Sequence, residues 1–195
     1  GNGGTSSLAN NIRINPSDFE KLKEQILKLK IELVVIGPEK PLVDGIANFL
    51  EKNKIKVFGP SKIASQLEGS KIFTKNLCKK YKIPTANFGV FNSIEKSIIF
   101  INKCRFPLVV KADGLAAGKG VYICETYQES KNAIEEVFNG KFGDAKKILI
   151  EEFLKGEEMS FFIISDGVSY KKFGTAQDHK RVHEGDQGKN TGGMG

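Results

Sequence analysis

Residues 17–30 place Leu22, Ile26, Leu27 and Leu29 at helical spacing among lysines and glutamates, and Ser17 with Glu20 offers a capping box at the start. The apolar run Leu33-Val34-Val35-Ile36 ends at Gly37-Pro38 and reads as a buried strand. A second helix is predicted through Ile46, Phe49 and Leu50, then a strand over Ile55-Lys56-Val57-Phe58, ended by Gly59-Pro60. Helix, strand, helix, strand at this spacing predicts a parallel sheet with crossover helices, which forms a first module over residues 1–70.

A helix through Phe73, Leu77 and Tyr81 must stop near Ile83-Pro84, because proline blocks its continuation. Beyond it the pattern changes. Strands are predicted at 86–91, 107–112, 121–124, 147–153, 159–165 and 168–176, and helices at 94–104 and 126–139. Thr126 and Glu129 form a capping box for the last helix, and Asp166-Gly167 suits a hairpin turn. Strands outnumber helices here, so residues 71–195 read as an α+β module with hairpins.

Composition sharpens this picture in three ways. The chain has 195 residues, 39% of them hydrophobic, enough for one large domain or two small ones. Its formal net charge is +7. The lysines are scattered, as in Lys21, Lys23, Lys28 and Lys30, with glutamates between them, and no Arg-rich block or aromatic interleaving accompanies them. That favours phosphorylated small molecules over nucleic acid as partners, with most of the excess lysine on solvated surface. Cys78, Cys104 and Cys124 form no CxxC pair, which argues against a disulfide framework or a zinc site and for a reducing compartment, and a cytoplasmic location is expected. No apolar run approaches a membrane span, so no membrane partner is expected. The chain starts at Gly1 without Met and stops at Gly195 inside a glycine-rich turn, which reads as an internal fragment cut at both ends.

The chemistry concentrates first at Lys111-Ala112-Asp113-Gly114-Leu115-Ala116-Ala117-Gly118-Lys119-Gly120. Leu108-Val109-Val110 is a strand that delivers Lys111, and small residues follow. Phosphates need backbone N–H groups at close range, which small residues permit, and lysine adds a point charge. A Walker A loop would place its first glycine at Asp113 and a hydroxyl residue at Gly120, and neither is there. A dinucleotide fingerprint fails too, since Val121-Tyr122-Ile123 follows instead of a third glycine and a helix. What remains is a glycine-rich hairpin that either folds over a nucleotide or is an ordinary turn with a surface lysine.

Several segments taken together resemble one family: Val35 to Leu42, Leu67-Glu68-Gly69-Ser70-Lys71, Val110 to Gly120, Ile150 to Leu154, Gln177 to Arg181, and Asn190-Thr191-Gly192-Gly193-Met194-Gly195. The chain resembles the glycinamide ribonucleotide synthetase family of ATP-grasp ligases over essentially its whole length. The resemblance implies a parallel α/β N-terminal domain (1–70, start missing) followed by an ATP-grasp α+β domain (71–195, C-terminal part missing), with a glycine-rich lid subdomain at about 86–153. It implies ATP and Mg2+ as cofactors, glycine and 5-phosphoribosylamine as substrates, and ligation through a glycyl phosphate. Such a reaction needs positioning, charge neutralisation and exclusion of water rather than a nucleophilic side chain.

The resemblance also implies roles. Lys71 and Lys111 match the lysines that contact ATP phosphates, with Gly114, Gly118, Lys119 and Gly120 of the loop beside them. Glu151, Glu152, Phe153 and Leu154 match the segment whose backbone and Glu151 read the adenine edge, and Glu158 would hold the ribose hydroxyls. Pro38 and Glu39, after a strand of the first module, and Gly1, Asn2, Gly4 and Thr5 match the phosphoribosylamine site. Asp178, His179, Lys180 and Arg181, with Asn190, Gly192 and Gly193, match the glycine and phosphate-transfer region. Arg181 or Lys180 would clamp a carboxylate or phosphate, and His179 is a candidate base toward the attacking amine or a residue that orders the loop. Taken singly, most of these also fit solvated loops and surface lysines.

The chain departs from the family pattern at Lys40, at His183 and Glu184, and at Lys189, all in loops. Magnesium ligands are expected beyond Gly195, since no carboxylate pair here has a clear claim to the metal, and the isolated fragment is expected to be inactive. Rival readings are another ATP-grasp carboxylate–amine ligase, a non-catalytic nucleotide-binding module and a basic RNA-binding domain.

Overall fold

The computed structural model describes residues 2–115, 120–142, 146–177, 179, 181–185 and 187–190, with Arg181 and residues 187–190 described by backbone alone. The chain divides into two compact units, Gly1–Glu152 and Phe153–Gly195.

The first unit opens on a 3-10 turn, Thr5–Ser7, followed by helix α1, Phe19–Lys28. The capping box read at Ser17 and Glu20 gives way to a cap one residue later. Asp18 is the N-cap: its carboxylate accepts the Lys21 amide at 3.2 Å and pairs with the Lys21 ammonium at 2.8 Å. One acid thus serves an orphan amide and a cation together, which a serine hydroxyl does not.

Strands β1 (Val34–Val35) and β2 (Val57–Phe58) pair in parallel, as the alternating pattern predicts. The connection holds two helices rather than one, α2 (Glu39–Asp44) and α3 (Ile46–Lys52). Gly45 separates them with φ +104°, a conformation that L side chains rarely adopt. Leu42, Ile46, Ala47, Leu50 and Ile55 form the core here, with Phe19, Leu22, Ile26, Val34, Ile36 and Val57 against it. The reading of Leu33–Ile36 as a fully buried strand is corrected. Val34 and Ile36 face the core, whereas Leu33 and Val35 are 53% and 66% exposed. This alternation of exposed and core-facing residues means that the strand is covered on one face only.

Helix α4 (Gln66–Gly69) leads into α5 (Lys71–Tyr81). Ser70 caps α5, accepting the Phe73 amide, and Lys82 ends it at φ 55°, before Pro84.

Next comes a four-stranded sheet of β3 (Phe88–Phe91), β4 (Leu108–Ala112), β5 (Val121–Cys124) and β6 (Ile148–Glu152), in the order β3-β6-β4-β5 with every pair antiparallel. Helices α6 (Ile94–Ile101) and α7 (Tyr127–Phe138) supply its cover. Thr126 caps α7 as read, accepting the Glu129 amide, while Glu129 reaches back one residue past the N-cap to accept the Glu125 amide at 2.8 Å. Side chains alternate across the sheet. Leu108, Val110, Ala112, Ile148 and Ile150 pack with Ile101, Ala133, Ile134 and Val137 in one apolar cluster. Each large member of it contributes about 1.5–3 kcal/mol by burial. Alternation sends Val109, Lys111, Leu149 and Glu151 to the opposite face, which therefore carries the charges.

In the second unit β7 (Ser160–Ser165) and β8 (Tyr170–Ala176) form a hairpin, and β9 (Arg181–His183) pairs antiparallel with β10 (Gln187–Asn190). The turn is the one read at Asp166-Gly167. Asp166 Oδ1 accepts the amides of Val168 at 2.9 Å and Ser169 at 2.7 Å, and Gly167 has φ +88°. No helix of the described residues is long and apolar enough to cross a membrane.

Candidate nucleotide site

The hairpin β4–β5 is the scaffold of the glycine-rich stretch. Lys111 lies opposite Val121, and the Ala112 amide donates to the Gly120 carbonyl at 2.8 Å, which closes the neck of the loop. Gly114 stands just inside the neck with φ +99°, and a Cβ there would meet nothing within 4 Å. Backbone conformation, not crowding, calls for glycine at this position.

Three lysines converge beside the neck. Lys111 and Glu151 are diagonal neighbours on one face of the β4–β6 ladder, since Lys111 pairs with Leu149 and Val109 with Glu151, and their side chains form an ion pair. Lys75, from α5, reaches the other Glu151 oxygen at 2.6 Å and also donates to the Thr85 hydroxyl at 2.7 Å. The Glu151 side chain is only 6% exposed and sits between the two ammonium groups as their counter-ion. Lys71, half-buried at the start of α5, donates to the Gly114 carbonyl at 2.9 Å. Burial pushes its pKa down, Asp113 and Glu68 act the other way, and Lys111 adds to the depression. Lys71 and Lys111, singled out in the sequence far apart, are thus both brought to the loop's root.

Glu152 points differently from its neighbour. Its Oε1 accepts the Asn87 amide at 2.9 Å and the Asn87 side-chain amide at 3.1 Å. These bonds, the backbone one first, hold its carboxyl below the usual carboxylate value. In the second unit Phe153 is half-buried, Leu154 and Glu158 are exposed, and His179 is exposed.

Pro38 and Glu39 lie just past the carboxyl end of β1, as N-cap and first residue of α2. Asn2 and Thr5 bind each other: the Asn2 amide donates to Thr5 Oγ1 at 2.8 Å, and the Thr5 amide to Asn2 Oδ1 at 2.9 Å. Gly4 is the N-cap of the turn. The Thr5 amide is therefore satisfied by the Asn2 side chain. Arg181 and Asn190 face each other across β9 and β10. Gly1, Gly118, Lys119, Asp178, Lys180, Gly192 and Gly193 lie outside the described residues.

Sequence reasoning passed over Lys75, Asn87 and Asp113. For Lys75 a signal existed, because it follows Lys71 by one helical turn and lies on the same face of α5. For Asn87 and Asp113 the partners stand 65 and 41 to 43 positions away, and no local pattern marks them.

Comparison with known proteins bears on the whole chain. Residues 1–68 match the family model described as phosphoribosylglycinamide synthetase, N domain, and residues 69–195 the one described as phosphoribosylglycinamide synthetase, ATP-grasp (A) domain. The chain belongs to the phosphoribosylglycinamide synthetase family. It is 50% identical to the phosphoribosylamine–glycine ligase of Mesorhizobium japonicum over 100% of its own length and 46% of that protein's. Among solved structures it is similar to the phosphoribosylamine–glycine ligase of Thermotoga maritima, with TM-score 0.80, 35% identity, and 99% of this chain and 46% of that one covered. The biotin carboxylase domain of the Hydrogenobacter thermophilus 2-oxoglutarate carboxylase, crystallised with MgADP, ADP and bicarbonate, shares the fold at TM-score 0.68 and 22% identity, over 84% of this chain and 39% of that one. The fold is thus an α/β N-terminal domain followed by part of an ATP-grasp domain. The chain spans about half the length of the relatives it matches.

Proposed function

We propose that this chain is the ATP-binding part of a ligase that joins glycine to 5-phosphoribosylamine, giving glycinamide ribonucleotide, ADP and phosphate. The observation that carries the reading is the convergence of Lys71 and Lys111 on the root of a glycine-rich hairpin, in a chain of this family. ATP phosphorylates the glycine carboxylate, the amine attacks the acyl phosphate, and phosphate leaves. In this reading the two ammonium groups neutralise charge on the transferring phosphate, and Glu151 keeps Lys75 and Lys111 in place before ATP arrives. Glu151 to Leu154 border the adenine, with Glu158 toward the ribose. Pro38 and Glu39 border the phosphoribosylamine, and the segment around His179 and Arg181 borders glycine.

Magnesium, when bound, would supply positive charge to the phosphates during transfer. Among the described residues no group of three or more His, Cys, Asp or Glu is placed to hold a metal ion, so we assign it no ligand here.

The test is ADP release by the full-length protein with 5-phosphoribosylamine and glycine, set beside other amino acids. Release with glycine alone among them is expected. Equal release with another amino acid would favour a different carboxylate–amine ligase. Lys111→Ala is expected to abolish ATP turnover while the fold survives, and a near-normal kcat/KM for ATP would remove Lys111 from the site.

A further inference from the structure

Asp113 opens the glycine loop, and its side chain turns away from the loop toward α5. Each of its carboxylate oxygens receives the Ser70 hydroxyl at 3.1 Å, and Oδ1 also accepts the Ile72 amide at 3.2 Å. Ser70 is the N-cap of α5 and Ile72 its second residue, so these bonds bracket Lys71. Ser70 passes the restraint on, accepting the Phe73 amide at 3.1 Å. Lys71 reaches back in the opposite sense, to the carbonyl of Gly114, the residue after Asp113. Two consecutive loop residues and three consecutive helix residues are therefore cross-linked in both directions. A carboxylate at a helix start satisfies orphan amides and favours the dipole, which explains part of the arrangement. It does not explain why a second acceptor comes from the root of the loop when Ser70 already caps the helix locally. A lysine chain is long and flexible, and its tip is fixed only by what holds its Cα and its ammonium group. Asp113 fixes the first directly, and by anchoring the root of the loop it fixes the second.

We propose that Asp113 is a positioning residue for nucleotide phosphate: it pins the first turn of α5 to the root of the glycine loop and thereby sets where the Lys71 ammonium stands. The inference rests on the reading that Lys71 meets ATP phosphate. Burial disfavours the Lys71 charge, and Asp113 is the strongest of the groups that support it, ahead of Glu68.

A double-mutant cycle on MgATP affinity in the full-length protein tests this, with wild type, Asp113→Asn, Lys71→Ala and both together. Asp113→Asn alone is expected to weaken MgATP binding about tenfold, and to add nothing once Lys71 is gone. A purely structural cap would lower affinity equally in both backgrounds. If Asp113→Asn does not fold, Ser70→Ala leaves the carboxylate in place and must show the same dependence on Lys71. Additive effects, or unchanged affinity in Asp113→Asn while Lys71→Ala weakens binding, overturn the positioning role and leave the proposed function standing. Unchanged affinity in Lys71→Ala overturns the phosphate role of Lys71 and the inference with it.

Discussion

Replacing Glu151 by glutamine isolates the electrostatics of the site from its shape. The carboxylate is almost wholly buried, 6% exposed, and it touches two lysines whose side chains are 11% and 26% exposed. At an effective dielectric of about 20, an ion pair at 4 Å is worth about 4 kcal/mol. Removing one partner of a buried pair costs about 3–5 kcal/mol, because the other charge stays behind unpaired. In Glu151→Gln two ammonium groups are left facing an amide. Lys111 is a quarter exposed and recovers some hydration, which places the expected loss near the low end, about 3 kcal/mol. For a chain of this size that is a fall in Tm of about 6–12 °C. The control is Glu152→Gln, next along the same strand. Its carboxylate is exposed and bonded to Asn87, and the loss there should be far smaller than for Glu151→Gln. Thermal or urea unfolding of both variants at low and high salt decides the matter. A buried pair is weakly screened, so the gap between the variants must persist at high salt. Equal losses for the two variants, or a gap that closes with salt, would refute the counter-ion role of Glu151.

Ile134→Ala, at a fully buried core position, should cost about 2–5 kcal/mol in urea unfolding, and a loss below about 1 kcal/mol would mean the α7–sheet packing is wrong. Thr126→Ala removes the α7 cap and should cost about 1 kcal/mol, with Ser or Asp at the same position restoring most of it. Gly114→Ala meets no steric contact but must hold φ near +99°, so a loss of about 1 kcal/mol is expected from conformation alone, and an unchanged Tm would place the loop root in another conformation. The Asp166 carboxyl is held below its ordinary value by amides of the hairpin turn, Ser169 first. Its contribution is therefore complete above the unfolded carboxylate pKa of about 3.9 and is lost as pH falls through the lower folded value. The Val168 and Ser169 amide shifts should hold steady until that lower pH, and a midpoint at or above the ordinary carboxylate value would contradict the turn geometry.

What could be read from the sequence, and what could not, divides by the range of the interaction. The helix start at Thr126, the turn at Asp166-Gly167 and the neck of the hairpin all rest on partners a few residues apart, and each lies where the local pattern puts it. The start of α1 was read one residue early because Ser17/Glu20 and Asp18/Lys21 have the same spacing. Only the added pull of the Lys21 ammonium separates them. The single helix read after β1 was split by Gly45, whose positive φ no periodicity predicts. The strand at Leu33–Ile36 is apolar throughout, and a run of that kind does not say how many of its faces are covered.

The site is a harder case, because its decisive contacts span the chain. Lys71 and Lys111 were singled out as phosphate ligands, but nothing local links them to Asp113 and Glu151. Those two carboxylates lie on strand ends that a pattern reads as solvated. The sheet explains why they matter. Alternation along β4 and β6 sends one set of side chains into the apolar cluster and the other set, Lys111 and Glu151 included, to the face that α5 approaches with Lys75. With Lys111 on that face and Lys75 crossing it, two like charges meet, and the buried Glu151 carboxylate between them compensates both. Glu151 makes both pairs with side chains of this chain, so its counter-ion role does not depend on nucleotide. The strand register and its counter-ions determine which charges stand at the root of the glycine loop.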